Sequence, residues 1–213
     1  MKYLLPSIFL ATTLGAIAPL SQAQAGTLTF SANLTGPNEF PPNASPGTGA
    51  ALVIYDDIAH TMHLQVSFSG LLGNTTAAHI HSATALPGVG TAGVATTTPT
   101  FPGFPSGVTS GSYDQLFDMT LASSYRAGFI TANGGTPATA EIALLDGIKS
   151  GKAYLNIHTS AFPGGEIRGF LVSVPEPSST LGFLALSTLG AGTAFNRKLK
   201  SSQSTAKETE KVS

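Results

Sequence analysis

Along residues 27–34 the apolar Leu28, Phe30, Ala32 and Leu34 alternate with Thr27, Thr29, Ser31 and Asn33. A period of two sends one set of side chains to a buried face and the other to water, which predicts a half-buried strand. Residues 50–55 continue with Leu52, Val53 and Ile54, and Asp56-Asp57 supplies turn chemistry. Residues 61–69 then alternate again, with Met62, Leu64, Val66 and Phe68 opposite His63, Gln65 and Ser67. That succession reads as a hairpin. A third segment, 76–82, carries His79 and His81. Another at 112–121 offers Phe117 and Met119 for burial, and strands at 153–158 and 167–172 flank the turn-rich Phe162-Pro163-Gly164-Gly165.

One stretch has a helical period instead. Thr136 is placed as an N-cap before Pro137, Ile142, Leu145 and Ile148 recur at helical spacing, and Lys149 and Gly151 suit a C-terminus, so the spacing predicts one helix over 137–150. Residues 83–111, rich in Pro, Gly, Thr and Ser, show no period and read as a long loop with short strand pieces. The expected fold is mainly β: an antiparallel Greek-key-like β-sandwich of about seven or eight strands with one helix.

Both ends depart from this pattern. Lys2 precedes an apolar run over 3–20 that ends in small residues at Ala23 and Ala25, the arrangement of a signal peptide cut by signal peptidase between Ala25 and Gly26. Near the other end, Pro175-Glu176-Pro177 precedes an apolar stretch over 180–195 and the basic Arg197, Lys198 and Lys200. As a helix this stretch is roughly 24 Å long, short of a hydrocarbon core of about 30 Å, so it suits a transient association with the inner membrane. The basic cluster belongs on the cytoplasmic side, which leaves 26–174 outside. Tripeptide, apolar segment and basic cluster in this order resemble the PEP-CTERM sorting signals of exopolysaccharide-producing bacteria. The resemblance implies cleavage near Pro175-Glu176-Pro177 by an exosortase-like protease. The division expected is a signal peptide at 1–25, a β-domain at 26–173, a sorting segment at 174–200 and a polar tail at 201–213, in a protein secreted or held in the bacterial envelope.

Composition narrows the choices. With 10% charged residues and a formal net charge of −1, nothing favours nucleic acid as a partner, and the absence of cysteine removes disulfides and thiolate chemistry.

Three separated segments resemble the CHRD domain, named for chordin. They are Asn38-Glu39-Phe40-Pro41-Pro42 after Leu34-Thr35-Gly36; Phe68-Ser69-Gly70-Leu71 leading to Ala78-His79-Ile80-His81; and Tyr154-Leu155-Asn156-Ile157-His158-Thr159 with Phe162-Pro163-Gly164-Gly165-Glu166-Ile167-Arg168-Gly169. The resemblance implies an extracellular setting and no defined reaction. Phe40 is bulkier than the aliphatic residue usual before Pro-Pro, and the loop after His81 is long and low in charge. The proline-stiffened 38–42 reads as a rigid connection.

The histidines carry the chemistry. His79 and His81, two apart on a strand, leave the same face with Cβ atoms roughly 6 to 7 Å apart. A metal needs at least one further ligand, for which His158 is the best candidate and Glu166 the alternative, and imidazoles without thiolates suit zinc, copper or nickel. The His-x-His strand resembles the copper-binding strand of copper/zinc superoxide dismutase. On that likeness Arg168 would guide an anion, although the zinc loop, the disulfide and a fourth histidine are missing. The competing reading has His79, His81 and His158 bonded to backbone and to Thr159, Asn156 or Glu166, stitching loops together. Glu166 and Arg168, two apart, read as a structural ion pair, with Asn156 supporting the site. His60 and His63 read as solvated. The leading functional expectation is a non-enzymatic envelope or matrix module that binds polysaccharide or envelope protein; the alternative is a copper- or zinc-binding β-sandwich.

Overall fold

Alternation over the first third of the domain becomes an antiparallel meander. β1 (Thr27–Thr35), β2 (Thr48–Asp56) and β3 (Thr61–Ser69) pair in unbroken register from Thr27 opposite Asp56 to Thr48 opposite Ser69. The structure is a computed structural model that describes residues 26–175, so the expectations for 1–25 and for the apolar tail lie outside the described residues. β4 (Thr75–His81), β5 (Gly111–Asp118), β6 (Tyr154–Thr159), β7 (Ile167–Phe170) and β8 (Val172–Ser173) complete one curled antiparallel sheet in the order β4-β6-β7-β1-β2-β3-β5, with β8 also on β1. Its inward face carries Leu34, Val53, Tyr55, Leu64, Ile80, Leu155 and Ile157, all at most 0% exposed. Burial of such side chains, worth about 1.5–3 kcal/mol each, holds together a chain that has no disulfide.

The helix predicted over 137–150 is α2 (Pro137–Lys149); a short α1 (Ala127–Ala132), not expected from the pattern, precedes it. At the N-terminus of α2, Thr136 Oγ1 accepts from Thr139 N–H at 3.2 Å while Thr139 Oγ1 accepts from Thr136 N–H at 3.3 Å. Two orphan donors are thereby satisfied, a cap worth about 1 kcal/mol. Ala140, Leu144, Leu145 and Ile148 face the core. Glu141 accepts from Tyr55 Oη at 3.1 Å and meets His60 Nδ1 at 2.9 Å, tying α2 to the β2–β3 turn. His60, at a positive φ of 53°, is therefore a half-exposed bridge to Glu141 and not a merely solvated residue. On the outer face of the sheet, His63 Nε2 meets the exposed Asp114.

The aperiodic stretch after β4 is well anchored. Ser82 N–H donates to Gly93 O, Ala95 N–H to Ile80 O, Phe101 N–H to Ala78 O and Thr75 N–H to Val108 O, while Thr96 and Thr100 hydroxyls accept from Ile80 and Ala78 N–H. The segment thus occupies the otherwise open edge of β4, satisfying backbone groups that would be orphaned there. It escapes a periodicity search because hydroxyls replace half of the ladder.

Candidate metal centre

Strand register places the site residues on a grid. β4 and β6 pair with His81 opposite Tyr154, His79 opposite Asn156 and Ala77 opposite His158. β6 and β7 pair with Asn156 opposite Arg168 and Tyr154 opposite Phe170. Since side chains alternate faces, His79, His81, Tyr154, Asn156, His158, Arg168 and Phe170 all leave the sheet on the side away from Ile80, Leu155 and Ile157. The loop segments around 90–99 and 162–165 roof this face, so polar residues that alternation would otherwise leave in water are buried: His79 and His81 are 7% and 9% exposed.

The three imidazoles converge: one nitrogen from each of His79, His81 and His158 lies within 4.8 Å of the others. What aims them is the backbone. His79 Nε2 donates to Pro99 O, His81 Nδ1 to Ala92 O at 2.9 Å, and His158 Nδ1 to Pro163 O at 3.0 Å. A carbonyl only accepts, so the facing nitrogen of each ring carries hydrogen and in the neutral ring the other is a bare lone pair. Those other nitrogens, His79 Nδ1, His81 Nε2 and His158 Nε2, are buried and have no hydrogen-bond partner. Burial also keeps the rings neutral. It lowers the pKa of all three, with His81 taken down to about 4 against the pull of the Ala92 carbonyl. His81 further stacks on Tyr154, rings 4.8 Å apart and 6° from parallel, and the Arg168 guanidinium covers Tyr154 at 4.6 Å.

Glu166 does not join this group. It is fully buried elsewhere, accepting from Ser45 Oγ at 2.6 Å, Thr159 Oγ1 at 2.6 Å, Leu72 N–H at 2.5 Å and Gly73 N–H at 3.1 Å. Burial pushes its pKa up, and the four donors together outweigh burial and lower it. A carboxylate so fully committed stitches three loops and has no lone pair left for an ion. Nor does it pair with Arg168. That guanidinium donates through Nε to Asn38 O at 2.5 Å and through Nη1 to Gly90 O at 3.0 Å, with the carboxylate of Glu39 at 3.8 Å, so the expected Glu166–Arg168 ion pair is replaced by Arg168–Glu39. The histidines likewise bond to backbone only, not to Thr159, Asn156 or Glu166.

Four participants went unread in the sequence. Glu39 is 6% exposed, and burial raises its pKa to about 7 against the lowering effect of Arg168. Its Oε1 and Asn156 Oδ1 are both buried without a donor. Gly165, at φ 131°, is required where they meet: a Cβ there would stand 2.5 Å from Asn156 Nδ2 and 2.7 Å from Glu39 Oε1. The Asn-Glu-Phe-Pro-Pro segment held the signal for Glu39, because an acid between an asparagine and two prolines is an unusual surface turn. The other unread participants, the carbonyls of Ala92, Pro99 and Pro163, leave no residue-type signal at all.

Comparison with known families returns two matches. The CHRD domain matches residues 30–171, well over half of the chain, and the PEP-CTERM protein-sorting motif matches residues 173–198. The second match marks an exported bacterial protein that carries a sorting signal. No curated protein and no solved structure gives a match.

Proposed function

The chain belongs to the CHRD family, and from that premise we propose that it is an exported envelope protein whose domain binds one transition-metal ion through His79, His81 and His158. The observation that supports the reading is the set of three buried imidazole nitrogens without partners, each opposite a ring N–H fixed on a carbonyl. Fixing the far nitrogen sets tautomer and ring direction in known metal sites. Nitrogens bound to zinc at about 2.0–2.1 Å stand about 3.4 Å apart, so loading draws these rings slightly inward. Three neutral imidazoles with no free carboxylate suit copper or zinc over calcium or magnesium. Arg168 serves as a clamp on two backbone carbonyls, and the reading assigns no reaction to it.

In this reading signal peptidase releases Gly26 at the new N-terminus and an exosortase-like protease acts near Pro175-Glu176-Pro177, leaving the domain in the envelope or the extracellular matrix. Elemental analysis and calorimetry on the purified protein test the metal. Near-stoichiometric copper or zinc is expected, with uptake abolished in His79→Ala/His81→Ala and in His79→Gln/His81→Gln, the second pair guarding against collapse of the cavity. A wild type that takes up no more metal than these variants, with circular dichroism unchanged, overturns the reading.

A further inference from the structure

Beside the metal centre, the same outer face of the sheet continues over β7, β8 and β1 into a cleft of about 520 Å³. That size lies within the range of about 300–1,000 Å³ usual for small-ligand sites. Ser31 and Asn33 of β1, with Arg168 and Phe170 of β7, line it, and Phe40 and Val89 stand on the two loops that border it. Arg168 fixes both borders, since one nitrogen bonds to Asn38 O, next to the Phe40 turn, and another to Gly90 O, next to Val89. The cleft is therefore held open by a bonded frame, which spares a ligand the cost of ordering the loops.

Its chemistry is selective. Phe40, Val89 and Val172 are 61%, 54% and 54% exposed, and three large apolar side chains around one polar floor need an explanation that a single exposed one does not. The floor holds one acid, Glu39, and one base, Arg168, both almost wholly buried beneath it. Two of the guanidinium nitrogens are already committed to carbonyls, which leaves little to recruit an anion. The exposed Asn33 amide and the Ser31 hydroxyl on the floor offer acceptors and donors to the cleft, so a matching ligand brings O–H groups. A ligand without net charge, with hydroxyl donors on its edges and a C–H face to lie on Phe40, is a neutral sugar.

We propose that this cleft binds a neutral saccharide, with Phe40 and Val89 against the sugar face and Asn33, Glu39 and Arg168 forming the polar floor. The site stands apart from the three histidines and does not rest on the metal reading. The full chain, stripped of metal with EDTA, is titrated calorimetrically with cellopentaose, maltopentaose, mannopentaose and, as the charged arm, a pentameric uronate. At least one neutral pentamer is expected to bind, Phe40→Ala to weaken it about three- to tenfold as loss of an aromatic contact does, Asn33→Ala to weaken it in the same direction, and Leu116→Ala, on the exposed side of β5, to leave it unchanged. Phe40 and Asn33 are exposed, so these variants keep the fold. Silence from all neutral pentamers, tighter binding of the uronate, indifference to Phe40→Ala, or binding only after metal is restored would each overturn the proposal. The last result would move the ligand to the histidine centre and leave the metal reading standing.

Discussion

The strands β1, β2, β3 and β5 and the strands β4, β6 and β7 belong to one sheet but live in different surroundings. In β1, β2 and β3 of the first group burial alternates residue by residue, as in β3, where Met62, Leu64, Val66 and Phe68 are buried and Gln65 and Ser67 are not, while β5 at the edge buries only Tyr113 and Phe117. In the second both faces are covered: His79, Ile80 and His81 are buried in succession on β4, and five of the six residues of β6 are buried. Water on the outer face lets the first group carry polar side chains without constraint. A roof over the second forces every polar group to find a partner or stay unpaired. Among the described residues, the buried side-chain atoms lacking a partner belong to Glu39, His79, His81, Ser82, Asn156, His158 and Asp57; Asp57 lies at the β2–β3 turn, and Glu39, on the β1–β2 connection, reaches across to Arg168 and Asn156 of the second group. One half of the sheet supplies stability, and the other stores unsatisfied polarity where a ligand can use it.

The comparison breaks most visibly at Leu64. This residue is 0% exposed in the hairpin half, so Leu64→Ala should lower stability by about 2–5 kcal/mol in urea melts while the folded fraction takes up metal as before. Lost uptake at full folding would show that the halves are not separable.

A second test uses pH on metal-free protein. His81 has a folded pKa of about 4, below its ordinary 6.5, so its contribution is complete above pH 6.5 and is lost as pH falls towards 4; His79 and His158 act in the same direction. Glu39, raised from 4.5 to about 7, contributes most below pH 4.5 and loses its contribution as pH rises through 7. The two slopes oppose each other. Glu39→Gln should expose the histidine slope, a fall on the order of 3 kcal/mol between pH 6.5 and 4, where the wild type stays flatter. Parallel stability curves for the two proteins would refute this account of the buried half.

The smallest effect is expected outside the roof. His63→Ala removes an exposed contact with Asp114 and should change stability by less than about 0.5 kcal/mol. A larger loss would mean that the outer face of the hairpin half is not simply solvated.

The same contrast explains what could be read in advance. Strands of the hairpin half follow from alternation, and α2 follows from Thr136-Pro137 and the spacing of Ile142, Leu145 and Ile148, although Ile142 itself is exposed. His79, His81 and His158 could be picked out as residue types, since imidazoles are scarce in this chain. Their roof could not. It is built from residues 83–109, whose threonine hydroxyls and carbonyls do work that no side-chain period records. The Glu166–Arg168 pairing failed for a related reason. Two residues apart in sequence suggested partners, but donors from the β1–β2 and β3–β4 connections and the end of β6 claim Glu166 first, and Arg168 is drawn to the Asn38-Glu39 turn.

If the proposed metal centre is loaded, the division of the histidines between β4 and β6 sets when an ion would be chosen. In an unfolded chain only His79 and His81 of the three are neighbours, and such a pair is a weak chelate open to whatever ion is abundant. The third nitrogen arrives when the two strands zip together, and the carbonyls that aim all three rings arrive with the roof. Under the proposed metal reading, selectivity would be conferred by folding, and an exported chain would sample the ions of the compartment in which it folds, not those of the one in which it is made.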